Sequence, residues 1–180
     1  MLCGAAGIAA ALLGEEAAAQ QPSPAARARP DRGDKLVFAA GDKQGEPIRP
    51  VDLPLGGPQM LAWAMDPQTS TLRNASRLNQ VLLIRLDPAQ MDEETAQRAA
   101  EGIVAYSAIC THAQCPVSEW QREKNALHCP CHQSEFDPGH GGRVVGGPAP
   151  RPLPILPIAV EDGVLVVAGR FVGRVGGVQG

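Results

Sequence analysis

Cys110-Thr111-His112-Ala113-Gln114-Cys115 and Cys129-Pro130-Cys131-His132-Gln133-Ser134 are the two stretches from which the rest of this chain is read. The first follows an apolar run, Ile103–Ile109, and the second grows out of another, Ala126–Cys129. Both runs read as strands, so each box sits where a strand gives way to a loop that can project ligands. Thiolate and imidazole are soft to borderline ligands, suited to zinc, copper or iron–sulfur. Cys110 with His112, and Cys129 with His132, make a set of two thiols and two imidazoles. Two metal chemistries fit it. One is a closed, tetrahedral structural zinc. The other is a 2Fe–2S cluster with Cys110 and Cys129 on one iron and His112 and His132 on the other. Each box also carries a spare cysteine, Cys115 and Cys131, for which a zinc site has no use. Two loops around one exposed cluster would gain from a tie between that pair. Closing a ring of about 15 residues is worth roughly 3 kcal/mol in the chain-entropy model, and a disulfide implies an oxidising compartment.

Outward from the boxes, the 180 residues contain 20 Gly and 17 Pro, which favours turns and short strands over long helices. Aromatic residues are few (Phe 3, Trp 2, Tyr 1), so the core needs help from a metal or a disulfide. A hydrophobic fraction of 44% argues against wholesale disorder. The net charge of -3 argues against nucleic acid as a partner, because phosphate binding requires a basic footprint. Strands are expected at Leu36–Ala40, Gln59–Met65 and Asn79–Leu86, the last nearly continuous in apolar residues and therefore buried. Pro154–Val160 and Val164–Ala168 flank Glu161-Asp162-Gly163 and read as a hairpin. One helix is expected from 88 to 101, capped by Asp87, opened by Pro88 and stopped by Gly102.

The N-terminal residues 2–13 are apolar and small, as in the core of a secretory signal, and Ala17-Ala18-Ala19 offers a cleavage site. No Lys or Arg precedes the run, so the segment resembles the second half of a twin-arginine signal whose true start lies upstream. Residues 1–19 are thus expected to be an export signal or N-terminal anchor, which sets Cys3 apart from the other four cysteines. Residues 20–35 are polar and contain Pro, and read as a linker. The folded domain is expected at 36–180.

The two boxes resemble those of the Rieske iron–sulfur proteins, which read C-T-H-x-x-C and C-P-C-H-x-S. The likeness is to the disulfide-bearing form found in quinol–cytochrome c reductases and arsenite oxidase small subunits. Asp137-Pro138-Gly139 with Gly141-Gly142-Arg143-Val144 looks like the family's turn after the second box, and Gly147-Pro148-Ala149-Pro150 like its proline loop. The likeness is strong over about 100–170 and loose over 36–99. It implies an all-β fold: an antiparallel β-sandwich or barrel base, a small two-loop cluster-binding part at about 105–152, and the helix near 88–101 as an insertion. It implies Cys110, His112, Cys129 and His132 as ligands of a Rieske-type 2Fe–2S cluster, and Cys115–Cys131 as the disulfide. By the same likeness Ser134 donates a hydrogen bond to a bridging sulfur. Phe136 stands where high-potential members carry a tyrosine donor, which implies a lower potential here.

Three positions depart from the family pattern: Ala113 and Gln114 replace Leu-Gly, and Gln133 replaces Gly. They leave the ligand set untouched but make the tip more polar, which bears on the docking partner. His128 reads as a structural residue of its strand, and His140 as an exposed turn residue. The functional expectation is an exported electron-transfer subunit on the periplasmic side of a bacterial membrane, with no catalytic pocket of its own. It would take electrons from quinol beside a cytochrome b-like or other membrane subunit and pass them to a c-type cytochrome. An alternative is the small subunit of a molybdenum oxidase, partnered by a large molybdopterin subunit. A structural zinc-binding module is the alternative of another class. A ring-hydroxylating oxygenase is not expected, given the spare cysteines and the 48 residues after His132.

Overall fold

The computed structural model describes residues 21–177. The expected export segment 1–19, with Cys3, lies outside the described residues. Among these residues the strands of the first half are β1 (Lys35–Phe38), β2 (Met60–Asp66), β3 (Thr71–Leu72), β4 (Val81–Arg85) and β5 (Ile103–Ser107). Those of the second half are β6 (Glu119–Gln121), β7 (Ala126–Cys129), β8 (Ser134–Asp137), β9 (Arg143–Gly146), β10 (Ile158–Glu161) and β11 (Val164–Val167). They form two antiparallel sheets. The larger runs β10-β11-β1-β2-β4-β5, with β3 added beside β2, and the smaller runs β6-β7-β8-β9.

The continuous apolar run in β4 has a simple cause: both of its faces are covered. Leu82 and Ile84 point to one side, where they join Tyr106, Leu127 and Phe136. Val81 and Leu83 point to the other, where they join Leu36, Ala62, Ala64 and Leu165. β5 divides in the same way, Val104 and Tyr106 against Ile103 and Ala105. The first of these clusters lies between the two sheets and includes Cys110 and Cys129, so the cysteines of the boxes are rooted in the core. Tyr106 is fully buried, and its phenol donates to the Pro138 carbonyl at 2.7 Å, pinning the turn after the second box. Burial pushes the Tyr106 hydroxyl well above its ordinary pKa.

The helix expected over 88–101 does not form as one element. Pro88–Gln90 is a single 3₁₀ turn capped by Asp87, and the chain is then extended at Met91 and Asp92. Asp92 caps a second start, α-helix Glu93–Ala96, its side chain accepting from the Thr95 amide. The physical reason is competition: the Asp92 amide is drawn to the Gly139 carbonyl at 2.9 Å instead of a helical acceptor. Gly141 N–H also donates to the buried Thr95 hydroxyl at 2.7 Å, so the insertion buttresses the turn at 137–142. The expected strand at Pro154–Val160 begins only at Ile158, while the hairpin turn holds, with Asp162 and Gly163 both at positive φ.

Contacts to the large sheet begin ahead of Leu36. A short helix, Pro24–Arg27, is followed by a segment held from two sides. Buried Asn79 donates to the Ala28 carbonyl at 2.7 Å, and Arg29 donates to the Leu78 carbonyl at 2.7 Å. Asp34, with only 3% of its side chain exposed, receives a bidentate grip from Arg73, one arm at 2.8 Å. That partner raises the Arg73 guanidinium's pKa, against the opposing effect of burial.

Candidate metal centre

Each box is a closed turn between paired segments. In the first, Cys110 N–H donates to the Cys115 carbonyl at 2.8 Å and Val117 N–H to the Ala108 carbonyl at 2.9 Å. In the second, Cys129 and Ser134 face each other across β7 and β8, and Gln133 N–H donates to the Cys129 carbonyl at 3.0 Å. Cys115 and Cys131 form a disulfide between the two turns, with Cα atoms 6.4 Å apart, an ordinary span for such a bond. The proline loop covers a third side. Its Gly147, at φ 76°, lies so close to the backbone of Gln133 and Ser134 that any side chain there would clash. Thr111 fastens the first box to the end of this loop by donating to the Arg151 carbonyl at 2.7 Å.

The structure brings the expected ligands together as two pairs, Cys110 with Cys129 and His112 with His132. Cys110 and Cys129 are free, buried thiols. Burial pushes the Cys129 thiol up to about 11, with the N–H groups of Cys131 and His132 pulling the other way and Cys110 as its neighbour. The sulfurs of Cys115, Cys129 and Cys131 lie within 4.8 Å of one another, so the disulfide closes directly over this thiol. The His112 and His132 rings meet edge to face with centroids 4.6 Å apart. A buried pair of thiols and a facing pair of imidazoles, on turns tied by a disulfide, offer the donor types of a metal with both sulfur and nitrogen ligands.

Two further atoms fit the same group. His112 Nδ1 is buried with no hydrogen-bond partner, and so is Ser134 Oγ. A buried polar atom left unpaired costs about 1–3 kcal/mol, so two of them facing the boxes indicate an acceptor or ligand partner at this point. Phe136 is fully buried in the core cluster that holds Cys110 and Cys129, and it offers no donor. The other histidines lie apart. His128 is buried on β7, its Nδ1 2.8 Å from Glu119 and its Nε2 3.1 Å from Gln133. His140 pairs with Asp137 at 2.9 Å. Sequence reasoning missed Arg151, whose guanidinium holds the Arg174 and Gly176 carbonyls, and the tail it positions: Gly177 packs against the His112 carbonyl and Gln114. No motif marks these residues, because their partners are distant in sequence.

Comparison with known proteins shows the family of the chain. The sequence profile of the Rieske 2Fe-2S domain matches residues 67–157. The chain is 37% identical over 161 residues to the cytochrome bc1 complex Rieske iron-sulfur subunit of Streptomyces lividans, covering 86% of this chain and 93% of that one. It is 45% identical over 104 residues to the subunit of the same name from Corynebacterium glutamicum, covering 54% of this chain and 26% of that one. It thus spans nearly all of the first relative and about a quarter of the second. Among solved structures, a chain of a hyperthermophilic respiratory Complex III is 27% identical with a TM-score of 0.43, covering 67% of this chain and 72% of that chain.

Proposed function

Because this chain belongs to the Rieske family of 2Fe–2S proteins, we propose that it is the electron-carrying subunit of a cytochrome bc-like complex. The proposed ligands are Cys110 and Cys129 on one side and His112 and His132 on the other. The observations that support this reading are a buried thiol pair and a facing imidazole pair, one with an orphaned Nδ1, on two turns tied by a disulfide. A bound cluster of this kind supplies one-electron chemistry at roughly −150 to +300 mV, against about −400 mV for an all-thiolate plant-type cluster.

The chain's own residues shape that chemistry. Two neutral imidazoles in place of two thiolates make the site less negative, so an added electron is less costly. His132 is exposed, so its ring can exchange a proton with solvent or with a quinol hydroxyl at the tip. The buried Ser134 hydroxyl is free to donate to a sulfur and favour the reduced state. Phe136 adds no such donor and holds the potential below that of tyrosine-bearing relatives.

The partners we propose are quinol with a cytochrome b-like or other membrane subunit as donor and a c-type cytochrome as acceptor. The relatives are named as subunits of a cytochrome bc1 complex, which supports this. The place is the periplasmic side of a bacterial membrane. The disulfide supports an oxidising compartment, and the segment 1–19 is the proposed export signal or anchor. No helix among the described residues is long and apolar enough to cross a membrane. Residues 20–35 are the proposed connection to a head at 36–180, with the part from Ala26 onward docked on that head. The donor-free Phe136 also suits the small subunit of a molybdenum oxidase, and co-purification of a molybdopterin subunit would select that second reading.

The test is a redox titration of the purified chain followed by electron paramagnetic resonance at two pH values. A rhombic signal on reduction, with a midpoint that falls as pH rises, is expected. A colourless, silent protein containing zinc overturns the reading.

A further inference from the structure

Gln133 stands where the family motif has glycine, and the structure shows why the position is unusual. Its φ is +62°, in the left-handed region where a non-glycine residue costs on the order of 1–2 kcal/mol. Such a conformation persists only where the surroundings over-determine it. Here they do. Gln133 Nε2 donates to the Pro130 carbonyl at 2.9 Å, and Oε1 lies 3.1 Å from His128 Nε2. His128 is itself fixed: strand pairing sets Glu119 directly opposite it, with the carboxylate 2.8 Å from Nδ1. The side chain of Gln133 is therefore folded back across its own turn and braced on a rigid strand. Cys131 and His132 lie between Gln133 and its anchor at Pro130, and their backbone N–H groups bond to the Cys129 thiol.

We propose that Gln133 is a positioning residue for the second box, braced on His128 and Glu119 and holding the Cys131 and His132 amides in place over the Cys129 sulfur. Amides aimed at a ligand sulfur stabilise added negative charge, so their placement tunes the potential. The inference rests on the reading of Cys129 as a cluster ligand. It also gives a chemical reason for glutamine at a position that favours glycine: the strain is exchanged for a loop that cannot swing.

Two variants of the full chain test it. Gln133→Met keeps the length and the strain but loses both polar contacts. Gln133→Gly relieves the strain and also loses them. Amide hydrogen exchange over 129–134 is expected to quicken at least tenfold in both, with β5 unchanged. The equilibrium constant for reduction is expected to fall about three- to tenfold, the latter being about 59 mV for one electron. The paramagnetic signal is expected to shift in its g values at full iron content. Unchanged exchange overturns the brace. Faster exchange with an unchanged midpoint and signal overturns the positioning role and leaves Gln133 a merely structural residue. A wild-type chain without iron overturns the cluster reading instead, while the exchange measurement still decides the brace.

Discussion

Replacing Arg73 by methionine should release the segment ahead of β1 and cost the fold far more than a surface ion pair would. Asp34 is 3% exposed in its side chain and Arg73 12%, so neither charge has water in reserve. Arg73 grips both carboxylate oxygens, one arm at 2.8 Å, and Asp34 also accepts from the Asp31 amide at 2.8 Å. Removing the cation strands the carboxylate, because Asp66 only adds a second negative charge 4.0 Å from the guanidinium position. Breaking a buried pair from one side costs about 3–5 kcal/mol. For a domain of this size 1 kcal/mol moves Tm by about 2–4 °C, so R73M should fall by about 6–20 °C. Adding Asp34→Asn removes the stranded charge and should recover about half of the loss. Thermal unfolding of wild type, the single and the double variant measures this, with hydrogen exchange over 27–34 reporting the segment itself. A loss below about 1 kcal/mol, the range of an exposed pair, would refute the reasoning and show that the segment is held by other contacts.

Phe136→Tyr places a hydroxyl in the fully buried core beside Cys110 and Cys129. If it donates to a ligand sulfur the midpoint should rise by about 59 mV per tenfold gain in the reduction constant, and an unchanged midpoint removes Phe136 from the tuning set. The double variant Cys115→Ser, Cys131→Ser should lose about 3 kcal/mol in denaturant unfolding, since the bond spans a sequence separation of 16. Cys110→Ser, His112→Ala, Cys129→Ser and His132→Ala should each purify without iron and without a rhombic signal. Asp92 is held below its ordinary 3.8 by the Thr95 hydroxyl and amide. The stability it lends is therefore present above about pH 4 and lost as pH falls through the folded value. Asp92→Ala should cost about 1 kcal/mol at pH 7 and flatten that acid limb in pH-dependent unfolding.

Much of the base was legible because its signals are local. The run Val81–Ile84 is apolar on both faces and could be read only as a covered strand, and Ala126–Cys129 stands in the structure with the bounds its sequence suggests. β6, β8 and β9 were not foreseen. Glu119-Trp120-Gln121 and Arg143–Gly146 are short, half exposed and defined by pairing with β7 and β8 rather than by their own residues. The insertion misled for the opposite reason. Asp87 and Pro88 do start a helical turn, but Asp92 caps again five residues later and a tertiary bond to Gly139 breaks the continuity. At the centre, the two boxes and the family likeness they carry pointed to the thiols and imidazoles proposed as ligands and to the Cys115–Cys131 bond that the structure contains. The contacts that orient them, Thr111 to Arg151 and His128 to Gln133, join segments through the fold and leave no spacing to read.

The docked stretch ahead of β1 also sets a length. A free chain over the sixteen positions 20–35 could reach on the order of 55 Å. With the chain first bonded to the head at the Ala26 carbonyl, which accepts from Ala75 N–H, only positions 20–25 are left to pay out, on the order of 20 Å. A head leashed at residue 19 could then rotate about its mooring but could not commute between distant stations. Donor and acceptor would have to stand within one short arc, or the Arg73–Asp34 clasp would have to open to lengthen the leash.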